Sequence, residues 1–389
     1  MLAPEIHRAK RAILIGYITN GIALGSFISR IPDYKRILHV TDGRLGSALV
    51  FGSIGVVLAL GPAGRNAAKY GSKPLIVGSA LAVGVTIPGI GLLFNIYTLA
   101  ISLFLWGITL GIQDISLSAH GVALEQKSGT KMLSTMHAMY SLGSIIGVGT
   151  GGVIAQLGIS PLIHLSNLGV LLILSAFVIN PLLLPANMDQ HNREGHKRNR
   201  KRPGIFWILG LLGVCAAISE GIASDWGGVL ARDTYGASPF VASLPYALFS
   251  TLMVIGRLSG DKLSHRFGTS RLLTAGGLIA GIGLATGMLM HSIQGEFFGW
   301  FFLGVGVSAV IPLLMSAAGE IASKQYPDTI APSEAVAMIA GISYFAFIAA
   351  PPMIGFLSDQ ITLRYALFVP AGLALLMAFG ARYARSSDR

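Results

Sequence analysis

The sequence predicts an all-α membrane protein with 12 transmembrane helices arranged as two six-helix bundles. Of its 389 residues, 53% are hydrophobic and only 12% are charged, and the mean hydropathy is +0.68. A soluble domain carries about 25% charged residues. The apolar runs are continuous over about 20 residues, which is the length that a helix needs to cross a bilayer. A membrane β-barrel would instead show alternating polar and apolar positions, so the runs are predicted to be helices.

Twelve apolar runs fall into two sets of six. They cover residues 12–31, 45–64, 74–94, 98–122, 132–157, 161–184, 204–230, 240–260, 271–291, 297–322, 333–357 and 365–383. We therefore predict an N-terminal bundle (1–185), a cytoplasmic linker (186–203) and a C-terminal bundle (204–389). The linker is basic, with Arg193, Lys197, Arg198, Arg200, Lys201 and Arg202. Very short connections at 94–99 and 157–161 predict that spans three and four, and spans five and six, pair as antiparallel hairpins.

The basic residues predict the orientation of the chain in the membrane. With both termini inside the cell, 22 of the 28 Lys and Arg residues lie on the cytoplasmic side, as the positive-inside rule requires. The net charge of +11 therefore reflects topology, and we expect no nucleic-acid partner. The apolar stretch after Arg8-Ala9-Lys10-Arg11 is too long for a cleaved signal peptide and is predicted to be the first span. Cys215 is the single cysteine, so no intramolecular disulfide is possible.

The fourth span carries the residues best suited to proton coupling. At about 100° per residue, Asp114, Ser118, Gly121 and Glu125 fall on one stripe of the helix. Ionisable residues inside a span are costly and usually mark a functional site that faces the bundle interior or water. We expect Asp114 to bind the coupled proton, with Glu125 and His137 of the fifth span nearer the cytoplasmic entrance. The alternatives are a buried aspartate that only pairs with a neighbouring helix and a structural histidine.

Other polar side chains in the spans are candidates for contact with a solute. They are Tyr17, Asn20, Gln113, Ser118, His120, Tyr140, Asn167, Glu220 and Trp226. Hydroxyl, amide and aromatic groups facing one cavity would suit a small polar, sugar-like solute. The alternative is that they join helices by hydrogen bonds, which every helical bundle requires.

The organisation as two sets of six spans with a cytoplasmic linker resembles the major facilitator superfamily. The segment Gly256–Arg271 is similar to the superfamily's signature loop, which follows the pattern G-x-x-x-G/D-x-x-x-x-R-x-G-K/R. The first set keeps the basic part of this loop but has Gly64 or Arg65 where the acidic residue belongs. The candidate gating residues are Lys69, Gly71 and Lys73 in the first loop and Asp261, Arg266, Gly268 and Arg271 in the second.

The fourth and fifth spans resemble those of bacterial fucose-permease-like, YbjJ-like facilitators. The similarity rests on Leu110–Gly121, Glu125 and His137–Gly143. It implies a transporter in the bacterial cytoplasmic membrane, with Asp114 at the position of the proton-binding carboxylate of the fucose–proton symporters. Two departures concern the solute: the first span has Asn20 where the symporters have a sugar-binding aspartate, and Ser118 replaces a common asparagine.

These observations predict a monomeric, proton-coupled symporter that works by alternating access, with a small solute, protons and the lipid bilayer as partners. A proton-driven exporter of metabolites or drugs is the first alternative. The run Gly143–Gly152 matches the antiporter motif G-x-x-x-G-P-x-x-G-G except that Val148 replaces the proline. A receptor that binds without transport is the second alternative. We predict no enzyme activity, cofactor or metal, because no nucleophile–base pair and no His or Cys pair at ligand spacing is present.

Overall fold

The computed structural model describes residues 3–130, 132–188, 203–327 and 329–384. All regular structure in these ranges is helical. The α-helices are α1 (Ala3–Leu38), α2 (Asp42–Tyr70), α3 (Ser72–Ile90), α4 (Ile96–Ser128), α5 (Leu133–Gln156), α6 (Pro161–Ile179), α7 (Gly204–Asp233), α8 (Pro239–Phe267), α9 (Thr269–Leu289), α10 (Ile293–Val307), α11 (Val310–Gln325), α12 (Pro332–Ile361), α13 (Leu363–Ala366) and α14 (Phe368–Gly380). Short 3₁₀ turns cover Asn180–Leu182, Ala186–Met188 and Ala381–Ala384.

Twelve helical segments of the described chain are long and apolar enough to cross a membrane. Each contains the greater part of one predicted span, so the predicted fold class is confirmed. Two spans are interrupted. The tenth, Ile293–Gln325, contains both α10 and α11, which are separated at Ser308 and Ala309, and the twelfth, Leu363–Ala384, contains α13, α14 and a 3₁₀ turn.

Side-chain caps at the first turn determine where several helices begin. Thr41 accepts a hydrogen bond from the Arg44 amide at the start of α2. Asn95 accepts from the amide of Thr98 at 2.9 Å, and the Thr98 hydroxyl in turn accepts from the Asn95 amide, which forms a capping box at the start of α4. Such caps satisfy amide groups that have no partner within the helix.

The helices assemble into two compact units. The first comprises Met1–Gly195 with Ser238–Ser243, and the second comprises His196–Ala237 with Leu244–Arg389. In the first unit α1 packs mainly on α5, α2 on α4, and α3 on both α4 and α6. In the second unit the main pairs are α9 with α10, α7 with α12, α9 with α14, and α11 with α12. The domain boundaries proposed above stay a prediction, and residues 189–202, with the six basic linker residues, lie outside the described residues.

Glycines allow the closest helix contacts in the first unit. A Cβ atom added at Gly21 of α1 would overlap the backbone of Tyr140, and one added at Gly143 of α5 would overlap the backbone of Ile18. Gly147 lies equally close to Ile22. The glycine-rich run of the fifth span is therefore a packing surface of the kind that small residues make in membranes.

One of the two predicted hairpins forms. Helices α3 and α4 are joined by residues 91–95 and pack against each other, as predicted. The pairing of α5 with α6 is wrong, because α5 packs along α1 and α6 packs along α3. The glycines of α5 meet the backbone of α1, and Gly169 of α6 meets the backbone of Gly84 in α3. These tight contacts outweigh the proximity that a short connection imposes.

Candidate functional site

A polar cluster in the first unit joins α1, α4 and α5. It consists of Tyr17, Asp114, Ser118 and His137. The hydroxyls of Tyr17 and Ser118 share a hydrogen bond with 2.9 Å between their oxygens. The ring of Tyr17 meets that of His137 edge-on, with 5.6 Å between centroids. Asp114 lies one helical turn before Ser118 and interacts electrostatically with His137. The structure therefore brings together four residues that the sequence placed on three separate spans.

The members of the polar cluster differ in their access to solvent. Tyr17 is fully buried, Asp114 and Ser118 are half-buried, and His137 is exposed. Among the described residues, no group donates a hydrogen bond to the Asp114 carboxyl. An aspartate that is partly accessible, lies within a span and has an ionisable histidine as its neighbour can exchange a proton with water. This is the chemistry that proton coupling requires.

Buried apolar residues pack against the polar cluster at Tyr17. Tyr17 belongs to a buried group that includes Ile13, Leu117, Leu124 and Met136. Tyr140, one turn after His137, packs against the same group. This packing fixes the positions of α1, α4 and α5 relative to one another. On α4, Asp114 and Ser118 stay partly accessible to solvent.

Two candidate amides are buried close to the cluster in sequence. Asn20 follows Tyr17 by one turn on α1, and Gln113 directly precedes Asp114 on α4; each is 3% exposed. Within the described part of the chain, Asn20 Oδ1 and Gln113 Oε1 have no hydrogen-bond partner. A buried amide oxygen without a donor is costly, so both stay candidates for solute contact.

Glu125 has a structural contact at the end of α4. Its Oε1 accepts a hydrogen bond from the backbone amide of Met132, the residue before α5. A carboxylate is stabilised at a helix N-terminus by the unpaired amides and the helix dipole. Glu125 therefore caps the start of α5, and its role in proton coupling stays a prediction.

His120, a candidate for solute contact, is held by hydrogen bonds between helices. It is 1% exposed, and both ring nitrogens are hydrogen-bonded. The Leu184 amide donates to Nε2 at 3.2 Å, which leaves the proton of the neutral ring on Nδ1, 2.6 Å from the Ser72 hydroxyl. His120 thus links α4 to the start of α3 and to the segment after α6, so its contacts are those of a residue that joins helices.

Asn167 lies on α6, a helix that contributes no residue to the polar cluster. It is exposed on α6, a helix that packs mainly on α3. Its neighbour His164 is buried and accepts a hydrogen bond at Nδ1 from Arg30 Nε at 3.1 Å. The buried Arg30 also donates to Asp33 and to the Ile159 carbonyl, both at 2.8 Å. This network fastens α1 to the start of α6.

The second unit contains an ion pair that the sequence pattern did not predict. Nη2 of Arg257 on α8 lies 3.2 Å from both carboxylate oxygens of Glu220 on α7. Glu220 was a candidate for solute contact, but Arg257 was counted only among the 22 Lys and Arg residues placed on the cytoplasmic side. Its position inside the apolar run 240–260 was the signal that could have identified it.

Two further residues of the second unit are fully buried. One is Trp226, whose Nε1 has no hydrogen-bond partner among the described residues. Its contact with a solute stays a prediction. Glu296 of α10, which was not predicted, is also fully buried. Its Oε1 accepts a hydrogen bond from Trp300 Nε1 at 3.1 Å, and Oε2 has no hydrogen-bond partner among the described residues.

The two signature loops adopt the same turn. Gly71 has φ 81° and ψ 160°, and Gly268 has φ 83° and ψ 143°. Lys69, Arg266 and Arg271 are exposed and Lys73 is half-buried. The side chain of Asp261 lies outside the described residues, so the expected charge pairing stays a prediction. A Cβ atom added at Gly71 would overlap the backbone of Ala186, whereas one added at Gly268 would meet no atom within 4 Å.

The fold and this internal repeat identify a class of membrane transporter. A model of the Major Facilitator Superfamily matches residues 13–331 and 227–388. The chain belongs to this superfamily and is a transporter of its type. Among solved structures, the chain resembles a bacterial homolog of the human lysosomal transporter Spinster, with a TM-score of 0.79, 14% identity and full coverage of both chains. It also resembles the nucleoside transporter NupG, with a TM-score of 0.77, 11% identity and coverage of 97% and 98%.

Relatives of similar length are also transporters or membrane proteins. The chain is 30% identical to an uncharacterised MFS-type transporter of Yersinia pestis, over 95% of this chain and 94% of that protein. It is 29% identical to the uncharacterised transporter y4wD of Sinorhizobium fredii, over 95% and 96%. The membrane protein MosC of Rhizobium meliloti is 25% identical, over 94% of this chain and 88% of that protein.

Proposed function

We propose that the protein is a proton-coupled symporter that carries a small polar, sugar-like solute by alternating access. The observation that carries this proposal is the polar cluster, in which Asp114 lies half-buried within a span beside His137. The similarity of this region to fucose-permease-like facilitators supports the same role for Asp114. His137, which is exposed, is the residue through which protons reach or leave the carboxyl.

In the proposed cycle, the transporter cannot close while Asp114 is charged. A charged carboxylate inside a span opposes the loss of its water when the transporter closes. Protonation from the outside removes this charge, so that the loaded protein can close and reopen toward the cytoplasm. His137 then accepts the proton as the solute leaves. Because Tyr17 joins the cluster through Ser118, it positions α4 against α1 during this exchange.

We place the protein in the bacterial cytoplasmic membrane as a monomer with both termini in the cytoplasm. The asymmetric distribution of Lys and Arg supports this orientation. The exporter is the second candidate, because the run Gly143–Gly152 of α5 follows the antiporter pattern at its glycines. An exporter would use Asp114 in the same way but would release protons inward as the solute leaves the cell.

The test is solute-induced proton flux in proteoliposomes, with sugars and polyols as the panel. Wild-type protein is expected to acidify the lumen when its solute is added outside, whereas Asp114→Asn loses proton-driven accumulation and keeps solute exchange. Asp359→Asn, which neutralises an exposed aspartate near the end of α12, is the matched control. Full accumulation by Asp114→Asn would refute the proton site. Lumenal alkalinisation coupled to solute movement would identify the exporter.

A further inference from the structure

The Glu220–Arg257 pair occupies an unusual position for two charged side chains. Glu220 lies near the middle of α7 (Gly204–Asp233), and Arg257 lies within the membrane-spanning part of α8 (Pro239–Gly260). Their side chains are 29% and 31% exposed. Charged residues at membrane depth face the bundle interior or water, because exposure to lipid is too costly. A pair that is nearly one-third exposed is therefore accessible to water and to a dissolved solute.

The geometry of the pair leaves hydrogen-bonding capacity on the arginine. A guanidinium has five N–H donors in a planar fork. Only Nη2 contacts Glu220, at 3.2 Å from each oxygen. In the described part of the chain, Nε and Nη1 of Arg257 donate to no group. Strong arginine–carboxylate pairs use two nitrogens at about 2.7–2.9 Å, so this contact is longer and uses only one nitrogen of the guanidinium.

From this arrangement we infer that Arg257 is a solute-binding residue and that the transported solute carries a carboxylate. The carboxylate of the solute would accept hydrogen bonds from the donors that Glu220 leaves free, which are the N–H of Nε and the two N–H bonds of Nη1. Glu220 holds the guanidinium in place and neutralises its charge when no solute is bound. This inference rests on the proposed function and specifies the chemical class of the solute.

Charge balance connects the inference to proton coupling. The empty pair is neutral, since Glu220 and Arg257 carry opposite charges. A bound carboxylate adds one negative charge at membrane depth, where uncompensated charge is costly. One proton taken up with each solute offsets the negative charge that the solute adds. An acidic solute therefore gives the carrier a reason to couple to protons in addition to the charge of Asp114.

The unused N–H donors of Arg257 also favour an acidic solute over a basic one. Both oxygens of Glu220 already accept from Arg257, whereas three N–H bonds of the guanidinium have no partner among the described residues. A cationic amine would have to compete with Arg257 for Glu220 and would lie beside a like charge. The site as built thus favours an anion.

The experiment uses matched sets of compounds that differ only in charge. Each set contains a neutral parent, its carboxylic acid and its amine, for example glucose, glucuronate and glucosamine, with corresponding sets built on inositol and on short-chain polyols. Binding to purified full-length protein is measured by thermal stabilisation, and transport is measured by counterflow without a proton gradient. Counterflow does not require coupling, so a failure of the proton site at Asp114 leaves this test intact.

Four variants give the expected pattern. Arg257→Gln lowers the affinity for the bound carboxylate by about ten- to a hundredfold, the range for a lost hydrogen bond to a charged group. Arg257→Lys recovers only part of this affinity, because an ammonium lacks the fork. Glu220→Gln keeps or improves carboxylate affinity, since it releases the guanidinium. Arg382→Gln, which removes an exposed guanidinium at the 3₁₀ turn Ala381–Ala384, leaves binding unchanged.

Other patterns would overturn the inference. Binding of only neutral members, with equal affinity in wild type and Arg257→Gln, would make the ion pair structural. If amines bind to the wild type and this binding is lost in Glu220→Gln, the site binds a cation through Glu220 and not an anion through Arg257. Absence of binding by every carboxylate in the panel, with wild-type protein folded and active in counterflow of a neutral compound, would also refute an acidic solute.

Discussion

The hydroxyl of Tyr17 on α1 lies 2.9 Å from the hydroxyl of Ser118 on α4, across 101 positions of the sequence. This bond ties the first helix to the helix that carries Asp114, one turn away. The Tyr17 ring also meets the ring of His137 on α5. One buried side chain therefore sets the relative positions of the two groups that we propose to carry the proton.

The bond between Tyr17 and Ser118 should be measurable by a double-mutant cycle. Tyr17→Phe and Ser118→Ala each remove one partner, and each should lower the free energy of unfolding by about 1 kcal/mol. The double variant should cost less than the sum, because both single changes remove the same bond. Thermal unfolding in one detergent gives these values, and strict additivity would contradict a shared bond.

Removal of the His120 imidazole should affect stability and not solute binding. His120→Ala leaves the Leu184 amide and the Ser72 hydroxyl without their observed partner. We expect a loss of about 1–3 kcal/mol per buried group left unsatisfied, seen as a lower melting temperature. The Michaelis constant for the solute should stay within about twofold, a change of roughly 0.4 kcal/mol. A large rise in this constant with unchanged melting would return His120 to the solute site.

Glu296→Gln should be tolerated. The carboxyl is fully buried, one oxygen accepts from Trp300 Nε1, and the other has no hydrogen-bond partner among the described residues. A buried carboxyl with so little compensation is expected to be neutral, and glutamine can accept the same bond. We expect a change of less than about 1 kcal/mol for Gln and a larger loss for Ala, which leaves a cavity. Severe loss of stability in Glu296→Gln would show that the negative charge is needed.

Two glycines of α5 provide a matched test of helix packing. Gly143→Ala places a Cβ against the backbone of Ile18 in α1, where none fits. It should destabilise by about 1–3 kcal/mol, the cost of overpacking. Gly149→Ala on the same helix meets no atom within 4 Å and should be neutral or stabilise by about 0.5–1 kcal/mol, because alanine favours the helix. Equal melting temperatures for the two variants would contradict the close α1–α5 contact.

The candidate site was predictable in part. The stripe on α4 pointed to Asp114 and Ser118, and the structure adds Tyr17 and His137 to them from the other polar candidates. Arg257 was missed because a basic residue near the end of an apolar run is typical of the cytoplasmic end of a span. Glu296 was missed because an acidic residue in the first turn of a helix looks like a solvated helix start.

The sequence by itself determined the number of spans, their approximate limits and the repeat of the signature loop. These features are local, since they depend on apolar length, on glycine at a turn and on the distribution of charge. Only the tertiary structure decided which polar residues share a site. Asp114 and His120 are six residues apart on α4 and lie about 120° apart around the helix. Periodicity separates these two faces, but only the packing of α1, α3 and α5 around α4 decides which face receives a structural hydrogen bond and which stays accessible.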